Sequence, residues 1–424
     1  MPPSRATSLM PMHIAIVSGF QVINNPRVVK EADALAEMGY RVTVLAAITR
    51  REDAPRIEAL VAGRDWTHVP VIDTTRTDAL SKAKGLLRRG AARFSREIAP
   101  RLNVEHPFQL GPEVYALLGA ARRTRADLYS LHLEKALWVG LKLAEANRPY
   151  RLDIEDWYSE DGLAKDRAAR PQRLIREAEH RLLHGAVHTT ATSDAMADAL
   201  IEAYGCPRPA VVHNSFPTTV RDAPDGKTLD RKRHDIPSIT WFSQTIGPGR
   251  GLEALIKAYA GLERPVELHL RGTARSGFIE SLLAPLEPAH RARVYLHEQV
   301  PQDELLSRLR EHDIGYCGEL SDCRSRDVTI TNKAFEYMRA GLAIVASDTT
   351  GQREIAAAAP NALALFKQGD PASLAAALTP LIENPAALNA ARDASVDALL
   401  DHFSWDRSKR VIQEQVANYF ENCT

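Results

Sequence analysis

The feature that most limits how this chain can fold is a repeated passage from apolar strand to amphipathic helix and back to apolar strand. The first instance is "HIAIVSGFQVINNPRVVKEADALAEMGYRVTVLAA", His13 to Ala47. His13 to Ser18 reads as a buried strand. Val28, Ala32, Leu35 and Ala36 then recur at helical spacing until Gly39, and Arg41 to Ala47 reads as a second strand. Strands joined through a helix run parallel, and a parallel sheet needs cover on both faces. Further apolar strands fall near 126–131, 150–154, 186–190 and 209–212. After a break they resume near 239–243, 266–270, 294–297, 314–317 and 342–346. The expected fold class is α/β, with two doubly wound parallel-sheet (Rossmann-like) domains.

The break is "TTVRDAPDGKTLDRKRHDIP", residues 218–237, rich in turn formers and without a sustained apolar period, and it reads as an interdomain linker. A chain of 424 residues has room for two such domains. Near the end, "FSWDRSKRVIQEQVANYF" places Ile412, Val416 and Tyr419 on one helical face, a helix that could cross back to the first half. The expected boundaries are 1–217 joined by 404–424, and 218–403. Two doubly wound units facing each other leave a crevice at the carboxyl ends of their strands, where such folds place ligands, so the arrangement reads as a cleft enzyme.

Charge and composition exclude several classes. A formal net charge of zero argues against a generic polyanion binder, so no nucleic-acid partner is expected. The leader "MPPSRATSLMPMHIAIVSGF" lacks the long apolar region of a signal peptide. No apolar run approaches the roughly 20 residues of a membrane span, so any membrane link is peripheral. Cys206, Cys317, Cys323 and Cys423 form neither a disulfide framework nor CxxC pairs, which fits a reducing cytoplasm.

Several stretches can carry chemistry. In "WFSQTIGPGRGLEALIKAY" a strand ending at Ser243 meets a helix bearing Leu252, Leu255, Ile256 and Tyr259 on one face. Its glycines and Arg250 suit a phosphate at the helix start, and they equally suit a plain strand-to-helix turn. It is no Walker loop, and "DGKT" at Asp225 fails as one too, because Arg221 stands at the first glycine position. In "TITNKAFEYMRAGLAIVASD", Asn332 reads as a cap with Lys333 beside it. Glu336, one turn in, suits either a ribose or the helix dipole. In the first half, His132 ends a strand, and Asp153, Glu155 and Asp156 end another. There a histidine can hydrogen-bond a sugar hydroxyl or a departing phosphate, or be structural, and the acids can orient acceptor hydroxyls. "HRLLH", His180 to His184, has metal-like spacing without an accompanying carboxylate and reads as surface or core histidines. Finally, "KAKGLLRRGAARFSREIAPR", 82–101, carries seven basic residues and one acid with Leu86, Leu87, Phe94 and Ile98 between them. It reads either as a lipid-docking surface or as a solvated helix packed on its own domain.

Taken in order, "NNPRVVKEADALAEMGYRVTVL", "TATSDAMADAL", "VVHNSFP", "GPGRGLEALIKA", "TNKAFEYMRAGLAIVASD" and "FSW" resemble the GT-B glycosyltransferases of family 4 over nearly the whole chain. The resemblance implies a nucleotide-sugar donor held by the second domain and a saccharide, lipid-linked or small-molecule acceptor held by the first. It also implies retention of configuration without metal or other cofactor. On the matching positions it implies donor contacts at Gln244, Gly249, Arg250, Thr331, Asn332, Lys333 and Glu336. Acceptor contacts are implied at Asn25, Arg27, Glu155 and Asp156, and catalytic roles at His132, Arg250 and Glu336. Two positions depart from the family pattern: Gln244 replaces an arginine of the diphosphate site, and Val328, next to Asp327, replaces the first of two glutamates eight positions apart. A nucleotide-sugar epimerase or hydrolase of the same fold, or a degenerate binding partner of another transferase, are the alternatives that these departures keep open.

Overall fold

The computed structural model describes residues 11–217 and 224–423; Arg221 and the linker residues 218–223 lie outside the described residues. The chain divides into two compact units. The first comprises the chain up to Ala191, Leu200–Val212 and the chain from Lys409, and the second comprises Thr192–Ala199 and His213–Ser408.

The first unit holds strands β1 (His13–Ser18), β2 (Arg41–Ile48), β3 (Thr67–Asp73), β4 (Leu128–His132), β5 (Tyr150–Ile154), β6 (Thr189–Ala191) and β7 (Ala210–Val211). They form one sheet in the order β3-β2-β1-β4-β5-β6-β7, every pair parallel. The strand order reverses between β1 and β4, where Ser18 pairs with His132. That reversal is the switch point at which open α/β sheets receive ligands, at the strands' carboxyl ends. The helix Pro26–Glu37 covers this region, and its first turn is capped by Asn25, whose side chain accepts from the Arg27 and Val28 amides. From Lys409 onward the last helix (Trp405–Glu421) belongs to this unit: Gln413 donates to the Ala34 carbonyl at 2.9 Å, Lys409 pairs with Glu37, and Phe420 packs on Tyr40.

The second unit repeats the plan with β8 (Ser238–Ile246), β9 (Glu267–Ala274), β10 (Val294–His297), β11 (Ile314–Cys317), β12 (Ala343–Ser347) and β13 (Ala364–Phe366). Its sheet order is β10-β9-β8-β11-β12-β13, again all parallel, with the switch point between β8 and β11. Ile239, Trp241, Leu255, Tyr259, Leu268, Leu270 and Tyr316 form the core on one side of this sheet, and Phe335, Met338, Ile344 and Ile355 on the other.

Two strands go beyond the sequence reading: β3, half-exposed and containing Pro70 at the sheet edge, and the three-residue β13. Another difference bears on the site. β8 does not stop at Ser243 but continues to Ile246 through a register shift between Phe242 and Thr245, so Gln244 lies within the strand.

The face of the first sheet under the helix Pro26–Glu37 is charged rather than apolar. Arg27 and Glu31, one turn apart on the helix, meet Asp153 and Arg151, two residues apart on β5. Arg27 grips Asp153 through Nε at 2.6 Å and Nη2 at 2.8 Å, and gives Nη1 to the Val212 carbonyl at 2.7 Å. Arg151 reaches Glu31 at 2.5 Å and Ser130 Oγ at 3.0 Å. His132 sits between the two pairs, fully buried, with Nε2 3.2 Å from Glu31 and Nδ1 2.9 Å from Glu155. Burial alone would strip its proton, but Glu31, Glu155 and Asp153 outweigh that and push its pKa up to about 10. The same opposite charges hold Glu31 and Asp153 below the usual carboxylate range despite burial.

Removing one partner of such a pair leaves an uncompensated buried charge, so Arg27→Ala should lower stability by about 3 to 5 kcal/mol, read by urea unfolding. The imidazole titrates near 6.5 when unfolded and at about 10 when folded. The native state therefore holds an extra proton between those values: the stabilisation is complete below the first and is lost as pH rises through the second. Urea midpoints between about pH 6 and about pH 10 should thus fall more steeply in the wild type than in His132→Gln. Equal slopes would show that the proton is not on His132.

Candidate functional site

In the second unit the residues expected around a donor gather at the switch point. Gly249 and Gly251 have φ of 73° and 70°, a left-handed backbone that glycine adopts freely. A Cβ at Gly251 would overlap the carbonyl oxygen of Gly318, so the loops following β8 and β11 pass backbone against backbone. The Tyr316 hydroxyl fixes this approach by donating to the Gly251 carbonyl at 2.7 Å. Gly251 then begins the helix Leu252–Ala260, whose amino end carries no side-chain cap.

The opposite wall starts at Thr331, and here the expected cap is corrected. Thr331, not Asn332, is the residue before the helix Asn332–Ala340, and no side chain caps that helix either. The Thr331 hydroxyl turns to Glu319 at 3.1 Å, while Asn332, the first helical residue, accepts from Asn214 Nδ2 at 3.0 Å. Glu319, the second residue after β11, is a functional candidate that the sequence reading missed. It takes Lys333 Nζ at 2.6 Å, and burial, which would raise its pKa, is outweighed by Lys333, Thr331 and Arg250. Lys333 also lies 5.9 Å over the Trp241 ring. Two helix starts without side-chain caps and two cations thus surround one carboxylate. Free amides at helix starts favour anions, as do the cations beside them.

Glu336 is buried, and its carboxylate already has partners. Gln302 Nε2 donates to its Oε1 at 2.6 Å, and Arg339 lies 3.6 Å from Oε2. Gln244 has its side chain exposed on β8, and its carbonyl accepts from Gln299. Beyond the ends of β11 to β13, Ser321, Arg324, Asp327, Asp348, Thr350 and Arg353 border a cavity of about 450 Å³. Asp327 is held there by the Ser321 and Thr350 hydroxyls, each at 2.6 Å, whereas Val328 is buried.

In the first unit the structure brings Asn25, Arg27, His132 and Glu155 together but leaves them unequally accessible. Glu155 Oε1 accepts from both Asn25 Nδ2 and His132 Nδ1, each at 2.9 Å, and is the half-buried outer member of the group. Arg27 and His132 are wholly enclosed, and the partners of His132 here are the carboxylates of Glu31, Asp153 and Glu155. Asp156 is exposed beside them. Crowding by the surrounding protein on its inner side, and then repulsion from Asp161 and Glu155, push its pKa up to about 7. Glu31, His132 and Asp153 come close enough to hold a metal ion. Their oxygens already face Arg27, Arg151 and a protonated imidazole, a donor set that does not fit a cation.

Comparison with known proteins follows the same division. A family model described as "Glycosyl transferase 4-like domain" matches residues 25–215, and one described as "Glycosyl transferases group 1" matches residues 236–384. The comparison with curated proteins returns no match. Among solved structures, a sucrose-phosphate synthase from Thermosynechococcus elongatus aligns at 16% identity with a TM-score of 0.69, covering 97% of this chain and 100% of that one. Anabaena HepE in complex with UDP-glucose aligns at 18% identity and 0.64, covering 96% and 100%. A UDP-forming trehalose-phosphate synthase from Burkholderia xenovorans aligns at 13% identity and 0.65, covering 96% and 99%. At these identities the structures establish the fold, GT-B, and nothing finer. Both halves of the chain thus match glycosyltransferase models, the first the 4-like domain and the second group 1, and the chain belongs among the glycosyltransferases.

Proposed function

We propose that this protein transfers a sugar from a nucleotide-sugar donor to a saccharide, lipid-linked or small-molecule acceptor, with retention of configuration and without a metal or other cofactor. The donor belongs to the second unit and the acceptor to the first. The observation that carries the reading is the meeting of the helix starts at Gly251 and Thr331 with Arg250 and Lys333 around Glu319. A diphosphate suits that place because backbone amides and two cations offer charge-assisted bonds to its oxygens. It would exchange with Glu319 for Lys333. The binding of UDP-glucose by Anabaena HepE, which shares the fold, is in keeping with this.

In the reaction the anomeric carbon loses the diphosphate and gains the acceptor oxygen on the same face, and the departing phosphate oxygen takes the acceptor proton. The chain's contribution is electrostatic: Gly249, Arg250, Thr331, Asn332 and Lys333 stabilise the charge that grows on the leaving group. Glu336 takes the ribose by exchanging its bond from Gln302. Glu155 and Asp156 receive acceptor hydroxyls. Asn25, Arg27 and His132 act one step back, by fixing Glu155 and Asp153.

A charged hydrogen bond contributes about 1.5 to 3 kcal/mol, so Arg250→Ala should lower turnover roughly ten- to a hundredfold. An unchanged rate removes Arg250 from the site. Thermal-shift screening against UDP-, GDP-, dTDP- and CMP-linked sugars should find a donor that raises the midpoint of the wild type and raises it less in Arg250→Ala. No stabilisation by any of them defeats the proposal. Donor consumption without acceptor would point instead to an epimerase or hydrolase, and binding without turnover to a degenerate partner.

A further inference from the structure

The basic segment of the first unit folds as a single helix, Ala79–Ile98, and the structure settles which way its side chains face. Its inner side is made of small residues: Ala92 and Ser95 are buried, Ser81 and Gly85 half-buried, and the helix leans on the short turns Pro100–Leu102 and Pro107–Gln109. Of its large apolar residues only Ile98, at the end, is half-buried; the others stay out of that packing. Leu80, Leu86, Leu87 and Phe94, with Leu102 just beyond, are each between 63% and 73% exposed. Leu80, Leu87 and Phe94 are seven residues apart, two turns, and so form one stripe, with Leu86 about 100° round the helix from it, across Ala83 and Gly90. Lys82, Arg89, Arg93 and Arg96, all exposed, recur at one helical phase and form a basic stripe next to Leu86, about 150° round the helix from the stripe of Leu80, Leu87 and Phe94. Lys84 lies on the other flank. Glu97, paired with Arg93 at 2.8 Å, is the one acid of the helix, and none of its contacts buries the apolar stripe.

We infer that this outer face is a docking surface for an anionic lipid bilayer. The exposed face that runs from Leu86 across Ala83 and Gly90 to Phe94, Leu87 and Leu80 has the basic stripe at one edge and Lys84 at the other, which on an otherwise anchored helix matches the boundary between acyl chains and acidic headgroups. Leu80, Leu87 and Phe94 enter the apolar layer while the arginines and lysines remain among the phosphates. The charge decides between occupants: a second copy of this chain would bring the same cations face to face, whereas an acidic membrane complements them. No helix among the described residues is long and apolar enough to cross a membrane, so the contact is peripheral. If the chain is a sugar transferase, this surface favours the lipid-linked class among its acceptors. That choice rests on the proposed activity; the docking does not, since it is measured without donor or acceptor.

The test is sedimentation of the full chain with vesicles of phosphatidylcholine alone and of phosphatidylcholine mixed with phosphatidylglycerol. The wild type should pellet with the acidic vesicles, stay in solution with the neutral ones, and be released by raised salt. Each of Lys82→Gln, Arg89→Gln, Arg93→Gln and Arg96→Gln should weaken the affinity by about fivefold, and the double variant Leu87→Ser, Phe94→Ser should lose binding with an unchanged unfolding midpoint. Arg264→Gln with Arg291→Gln, two exposed cations of the second unit, should bind as the wild type does. Failure to pellet with acidic vesicles overturns the inference, as does binding that ignores the helix variants. A dimer in light scattering that the double variant dissociates would overturn it too, by assigning the face to self-association.

Discussion

Parallel pairing of the central strands is the constraint from which the rest of this structure follows. A parallel ladder cannot be closed by a tight turn, so every strand must return through a crossover, and the crossovers place the loops that follow the strands along one sheet edge. In each unit the strand order then reverses beside the first strand, which parts two neighbouring loops and opens a place for a ligand. His132, Glu155, Arg250 and Glu319 share an address for this reason: each stands at or just past the carboxyl end of a strand next to such a reversal or one strand from it.

The two units solve the problem of charge at that edge in opposite ways. In the first, Arg27 with Asp153 and Arg151 with Glu31 are taken wholly out of water, and each desolvated ion is compensated by a partner at hydrogen-bond distance. Such a lattice contributes less to net stability than its Coulomb energy implies, but it allows only one alignment of the helix Pro26–Glu37 on β5. In the second unit Arg250 and Lys333 stay partly exposed, and Glu319 neutralises them at that edge. One arrangement serves to fix geometry, the other to keep positive charge available.

Periodicity made both sheets legible, because strands and crossover helices carry their apolar pattern locally. Edge strands were harder: β3 has Pro70 and no clean apolar face, and β13 spans three residues, too few for a period. The site was readable as a set of loops but not as a set of contacts. Asn332 is a good cap by residue type, yet the hydroxyl of Thr331 and the cap position are decided by Glu319, twelve residues earlier in the chain. Gln244 looked like a loop residue because a register shift in β8 is invisible without its partner strand. His132 looked like a hydrogen-bonding group at a strand end, and whether it faces a substrate or three carboxylates depends on residues from two other elements. A signal for the buried lattice did exist. Arg27 and Glu31 interrupt one face of a helix at four-residue spacing, and Arg151 and Asp153 interrupt a buried strand at two-residue spacing, so matched charges point at each other.

The approach of Gly251 to Gly318 has a mechanical consequence. With two backbones in contact and the Tyr316 hydroxyl tied to the Gly251 carbonyl, the loops after β8 and β11 have no separate freedom. They form one stiff rim, and a displacement that begins at Gly318 is delivered to the amino end of the helix Leu252–Ala260. Adaptation to ligands of different size must therefore come from the far wall, around Thr331 and Lys333, where side chains rather than main chain set the spacing.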